Sequence, residues 1–247
     1  MPWTLDGTND FLQIPDDSRG DHLSPPSLTI ACWTRPRVTA AGQRIFSLAA
    51  DDFWLGWSGA TFGPRLVLYN GANRTVDSGL LVGSRLYLIA ASFDSTELIP
   101  RIHVNGQLAQ TGATLLAPIT WEFPGAEVGM GGSATGVAAT FMNGEVGPAY
   151  LWKARLTNPE QQQLFVQGHP RGIRPAALIG AWRDDDGRDS SPYGRAHFLM
   201  KNGATPGGMR LTPVRPYRFG SRIGSIGTNI GGFPFTSKSA RNVLLRR

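Results

Sequence analysis

The stretch Arg101-Ile-His-Val-Asn-Gly-Gln-Leu108 decides the fold class. Asn105-Gly106 is the dipeptide that most readily takes positive φ at both central positions of a tight turn, and short apolar-containing runs flank it. The spacing predicts two antiparallel strands joined by a two-residue hairpin. The same grammar repeats outward in both directions. Runs 11–14, 27–33, 44–48, 53–57, 65–69 and 85–93 precede this hairpin, and runs 126–129, 139–142, 146–152, 177–182 and 196–200 follow it. Each has strand length and is rich in β-branched or aromatic residues, which suit a pleated, half-buried backbone. Asn70-Gly71, Gly131-Gly132, Asn143-Gly144 and Asn202-Gly203 supply turn signals between them.

One helix interrupts this pattern. Thr157-Asn-Pro-Glu160 reads as a capping box, in which Thr157 and Glu160 each satisfy a backbone donor of the first turn. Pro159 falls where a missing N–H costs nothing, and Gly168 can supply the positive-φ stop. The expected helix spans 158–167. Everything else points to an all-β chain of two antiparallel sheets packed as a sandwich.

Composition narrows the class. The chain has 247 residues, of which 41% are hydrophobic and only 17% charged. That is enough apolar material for a sizeable core, with fewer charges than the roughly 25% of an average domain. Gly (31) and Pro (18) together make 49 residues with no period of three, which excludes collagen. No apolar run approaches the roughly 18 residues of a membrane span, so no membrane partner is expected. Met1-Pro-Trp-Thr-Leu-Asp6 has neither a basic nor an apolar leader segment, so no signal peptide is expected. Cys32 is alone, which excludes an internal disulfide and a Cys-x-x-Cys metal site.

Charge is distributed unevenly. Residues 1–169 hold 10 Lys+Arg and 14 Asp+Glu, whereas residues 170–247 hold 14 and 4, so the nets of −4 and +10 sum to +6. From 217 on the chain carries no acid and five glycines. Its cations are Arg218, Arg222, Lys238, Arg241, Arg246 and Arg247, and Ile223, Ile226, Ile230, Phe233 and Phe235 lie between them. Such a segment is too glycine-rich to hold a strand unaided and too apolar for a plain linker. It reads as an extended arm that orders against an acidic, partly apolar partner. Nucleic acid suits it poorly, because its apolar residues are mostly aliphatic and bases stack on aromatic rings.

Three stretches resemble the concanavalin A-like jelly roll of the laminin G-like superfamily. Leu5-Asp-Gly-Thr-Asn-Asp-Phe-Leu-Gln-Ile-Pro15 with Ser27-Leu-Thr-Ile-Ala-Cys-Trp33 is similar to that family's opening strands. Ile102-His-Val-Asn-Gly-Gln-Leu108 is similar to its central hairpin. Phe141-Met-Asn-Gly-Glu-Val146, through Tyr150-Leu-Trp152 to Thr157, is similar to its closing strand and short helix. The resemblance implies two stacked antiparallel sheets. Leu178-Ile-Gly-Ala-Trp182 and the Asp184–Phe198 stretch resemble a segment that usually starts such a domain, as though the order were permuted. The expected organisation is one jelly-roll sandwich over 1–212 and a basic arm over 213–247.

Catalysis finds little support in the residues. Glycoside hydrolases of this superfamily need two carboxylates flanking the scissile bond. Glu122 and Glu127 are separated by Pro124-Gly125, Glu145 stands alone, and Asp94 and Glu97 fall in a turn. Asp184-Asp-Asp-Gly187 fails the EF-hand frame; a loose carboxylate loop of Asp184, Asp186 and Asp189 is the remaining calcium arrangement, with a solvated turn favoured over it. The histidines at 22, 103, 169 and 197 lack the pairing of a helical zinc site. Neither a cofactor nor a metal is therefore expected, and no enzyme. Aromatic rings can also stack on the apolar faces of sugars. Phe53-Trp-Leu-Gly-Trp57 alternates so that Trp54, beside Gly56, faces away from Phe53, Leu55 and Trp57. Trp54 with Asn70, Asn73 and Asn105 is the candidate glycan-binding set; the competing reading, favoured over it, packs all these rings between the sheets and leaves the asparagines to serve their turns. Compact laminin G-like jelly rolls of this kind resemble structural proteins of tailed-phage virions. The resemblance and the arm together imply a non-enzymatic capsid-decorating or minor virion protein, located on the particle. Other virion proteins or further copies of itself, as a homo-oligomer, would be its partners. The alternative is a carbohydrate-binding module for host or surface glycans.

Overall fold

The computed structural model describes residues 3–206 apart from 16–22, 60–62, 70–71, 80, 82–84, 120, 122–126, 134, 138, 184–185 and 195. The chain divides into Met1–Pro213 and Val214–Arg247, and the second unit lies outside the described residues. With it go all the arm residues from 218 to 247 named above; Asn70, Glu122 and Asp184 also lie outside.

The first unit is a two-sheet antiparallel sandwich with one helix. Numbered in chain order, one sheet contains β1 (Trp3–Asp6), β3 (Leu28–Val38), β8 (Tyr87–Phe93), β9 (Arg101–Val104), β10 (Gln107–Thr111), β12 (Asn143–Trp152), β13 (Leu178–Trp182) and β15 (Thr205–Pro206). The other contains β2 (Phe11–Ile14), β4 (Arg44–Leu48), β5 (Phe53–Trp57), β6 (Pro64–Tyr69), β7 (Asn73–Asp77), β11 (Val128–Met130) and β14 (Leu199–Lys201). Their orders are β10-β9-β8-β3-β12-β1-β15, with β13 also on β12, and β14-β2-β11-β4-β5-β6-β7.

The two-residue period of strands explains which residues meet. Leu28, Ile30 and Cys32 of β3 point into the space between the sheets, as do Phe53, Leu55 and Trp57 of β5, and all are fully buried. On the opposite face of β3, Ala31 and Trp33 join Tyr150, Trp152 and Leu164 in a second apolar layer. Leu164 belongs to helix α1 (Asn158–Gln167), so the eight-stranded sheet is buried on both faces. Phe165 stacks on Trp33 at 5.8 Å and the Trp152 indole N–H donates to the Ile173 carbonyl at 3.0 Å. The helix begins and ends where the capping box and Gly168 predict, with Gly168 at φ 71°.

Residues 178–206 return to both sheets. β12 pairs β1 through residues 143–146 and β13 through residues 149–152, while β14 adds to β2 and β15 to β1. The 105–106 hairpin forms as expected, with Asn105 at φ 51° and Gly106 at φ 77°. Two sequence expectations are corrected. Asn143-Gly144 is not a turn but lies within β12 at a register shift; Gly144, at φ 147°, sits where a Cβ would come 2.3 Å from the Arg35 carbonyl oxygen. Run 139–142 forms no strand among its described residues, because Ala139 takes φ 67° and Met142 donates back to the Gly131 carbonyl.

Candidate functional site

Trp54 does face away from the inter-sheet core, but its ring is not open to solvent. The Arg44 guanidinium lies 3.6 Å above the ring centroid and leaves the residue only 9% exposed. Gly56 makes room for the indole: a Cβ there would stand 3.1 Å from the ring and 2.1 Å from the Gln43 carbonyl oxygen. Burial pushes the Arg44 pKa down, partly countered by Asp51, whose Oδ1 is 3.6 Å from Arg44 Nε. Ser133 donates to Asp51 Oδ2 at 2.9 Å and shares a hydrogen bond with Thr135 at 3.0 Å. Asp51 reaches this position from φ 81°, a backbone region that Asp tolerates better than most residues. The candidate exposed ring is therefore the floor of an arginine stack, and the polar cluster around it is internally engaged.

Asn105 serves its own hairpin. Its Oδ1 accepts the Leu88 N–H at 3.0 Å and its N–H donates to the Leu88 carbonyl at 2.8 Å. It lies on the eight-stranded sheet, so the structure does not bring it to Trp54.

Asn73 is placed differently. It opens β7, the outermost strand of the seven-stranded sheet, which packs against β9 and β10 at the edge of the other sheet. There the sheets part around a cleft of about 430 Å³. Val76, Pro100 and Leu115 form its apolar floor, Asn73, Arg74 and Thr75 one wall, and Ala113, Thr114 and Leu116 the other. Val76 and Leu115 belong to the inter-sheet core, which anchors the floor. The loop after β10 is tied down by Gly112 N–H to the Pro100 carbonyl at 2.9 Å and Leu115 N–H to the Leu98 carbonyl at 2.8 Å. Gly112 allows this close passage, since a Cβ would lie 2.5 Å from Val76 Cγ2. Arg74 pairs in register with Leu68 and shares the core-side face of β7 with Val76, which brings it to the cleft.

The sequence reading missed Arg74, Thr75 and Thr114, and β7 altogether. A signal was available: Asn70-Gly71 implies a strand after the turn as well as before it, and Thr75-Val76 are β-branched. Other candidates lie elsewhere. Glu145 is 3.4 Å from Arg35 on the eight-stranded sheet, and Asp186 is 3.1 Å from Arg188. Asp189 accepts the N–H groups of Ala181 and Ser191 at 3.0 and 2.9 Å. Among the described residues no three His, Cys, Asp or Glu side chains are gathered to hold a metal ion. His103 is buried with Nε2 3.0 Å from Asn158 Oδ1; burial lowers its pKa against the pull of that bond. No helix is long and apolar enough among the described residues to cross a membrane.

Residues 6–161 match a laminin G family model described as the concanavalin A-like lectin/glucanases superfamily. No curated protein matches the chain. Among solved structures, a Bacteroides ovatus protein to which carbohydrate binding is ascribed superposes with TM-score 0.62 at 15% identity, over 83% of this chain and 58% of that one. The chain thus spans less than two thirds of that protein. A heptameric SAP-like pentraxin from Limulus polyphemus gives TM-score 0.55 at 14% identity, over 84% of this chain and 95% of that one. The CBM40 of the Ruminococcus gnavus IT-sialidase, bound to α2,3 sialyllactose, gives 0.56 at 17%, over 66% and 96%. At these identities the likeness is one of fold.

Proposed function

The chain belongs to the concanavalin A-like lectin/glucanases superfamily, and on that premise we propose that it is a non-enzymatic carbohydrate-binding module whose ligand occupies the cleft beside β7. The cleft itself carries this reading. Its 430 Å³ falls within the range of small-ligand sites, which pair an apolar surface with a few placed polar groups. A pyranose presents the complementary pattern, with a C–H face for Val76, Pro100 and Leu115 and hydroxyls for Arg74 and Thr114. The sialyllactose bound by one structural neighbour and the carbohydrate binding ascribed to another favour the same class. Among the described residues the cleft lining contains no Asp or Glu, whereas glycoside hydrolysis uses a pair of them.

A glycan array probed with the full chain tests this directly. Retention on a defined set of oligosaccharides is expected, without release of sugar. The change Thr114→Ala should weaken that retention severalfold, the loss of one hydrogen bond. Failure to retain any glycan would remove the proposal.

Assembly into a virion through the arm is the second reading, favoured by the charge step from −4 to +10 across residue 170. Reversing Arg241, Arg246 and Arg247 to Glu should then release the protein from particles and leave glycan retention unchanged. Loss of glycan retention, with particle attachment intact, would count against that division of labour.

A further inference from the structure

We propose that the saccharide held beside β7 is anionic, its carboxylate or sulfate group paired with the Arg74 guanidinium; this rests on the carbohydrate-binding reading above. The observation behind it is a charge left without a counterion. Arg65, on the neighbouring strand, is gripped at two points by Asp77 of β7, at 2.7 and 2.9 Å. Arg44 is paired with Asp51 and Arg101 with Glu97. Arg74 lies three residues before Asp77 on the same strand, yet it has no acidic partner among the described residues. Among the described residues, the cleft it lines has no acid on its walls or floor.

A guanidinium stays charged across the accessible pH range and presents its donors in a planar fork. That fork matches the paired oxygens of a carboxylate or sulfate, which a single sugar hydroxyl does not offer. Thr114, on the opposite wall, adds a hydroxyl donor, and Val76, Pro100 and Leu115 supply an apolar floor for the ring that carries the acid. Nucleic acid would supply phosphates as well, but among the described residues no aromatic side chain lines the cleft for a base to stack upon.

The test uses the full chain against matched oligosaccharides: neutral, bearing uronic acids, and bearing sulfate esters. Acidic members should bind about tenfold or more tightly than their neutral counterparts. Arg74→Met keeps an unbranched apolar stem and removes the charge; it should cost about ten- to a hundredfold for acidic members and little for neutral ones. Arg74→Lys should restore part of the preference. Lowering the pH through the carboxylate range, about 3 to 4, should remove the preference for uronic acids and leave that for sulfates, which identifies the source of the anion. Melting of Arg74→Met should match the parent, because the side chain is exposed. Neutral members binding as tightly as acidic ones, or Arg74→Met binding like the parent, would overturn the anionic assignment and leave the carbohydrate reading standing. No retention of any member would remove both.

Discussion

The two edges of this sandwich are built to opposite ends. At one, β13, β14 and β15 bring the chain back onto strands already laid down, and aromatic rings fill the space between the sheets. Trp182 is fully buried, with Phe198 at 5.0 Å and Phe46 at 5.6 Å, and its indole N–H donates to the Ala196 carbonyl. Asp189 fastens the same region through backbone N–H groups. At the other edge β7 and β10 end their sheets, every residue of β10 is exposed, and Leu116 stands 94% exposed beside the cleft. Large buried rings gather at the first edge, and the accessible cleft lies at the second. The closed edge is filled by rings, whereas at the open edge Val76 and Leu115 are buried as the floor of a cleft that stays accessible above them.

The largest expected effect therefore lies at the closed edge. Trp182→Ala removes a fully buried indole from contact with two other rings and leaves a cavity that the stiff sheets cannot close. It should cost about 3–5 kcal/mol, read from denaturant unfolding monitored by circular dichroism. A loss below about 1 kcal/mol would mean that residues 178–206 are only laid against the sandwich, and the contrast between the edges would fail.

A smaller effect belongs to neither edge but to the helical cover of the eight-stranded sheet. Glu160 Oε2 accepts from the Thr157 N–H at 2.7 Å, and its Oε1 accepts from Arg174 at 2.7 Å. Burial raises its pKa, but the bonds from Arg174 and Thr157 together outweigh that and hold it below the ordinary 4.5. A carboxylate depressed in the folded state stabilises it fully above the unfolded value, and this contribution fades as pH falls through the folded one. Glu160→Gln should cost roughly 1 kcal/mol at pH 7. The gap from the parent should narrow as the pH drops below 4.5. A gap that stays constant from pH 7 to 3 would show that hydrogen bonding without charge holds the helix start.

What the sequence made legible follows the same division. The helix was readable because a capping box and a glycine stop are local chemistry, complete within a dozen residues. The inward set of β5 was readable because alternation reports one buried face, and Phe53, Leu55 and Trp57 are buried as predicted. Edge strands send no such signal. β7 reads Asn-Arg-Thr-Val-Asp with a single buried position, so its polarity resembles a loop. The cleft itself joins residues 73–76 to 100 and 113–116, a juxtaposition with no period and no motif in the chain. Trp54 shows the converse: its face was legible, but the arginine covering it comes from the neighbouring strand β4 and left no local trace.

The smallest expected effect tests the open edge from the side of stability. Leu116 is a large apolar residue, and by composition alone its replacement by Asn would be feared as a core mutation. At 94% exposure it buries almost none of its surface, and the transfer free energy that makes Trp182 expensive to lose is absent. Leu116→Asn should therefore shift unfolding free energy by less than about 0.5 kcal/mol in either direction. Its wall of the cleft would lose an apolar contact, so saccharide retention should still fall severalfold while melting stays put. If Leu116→Asn melts several degrees below the parent, something buries this side chain in solution, and the β7–β10 edge is closed there after all.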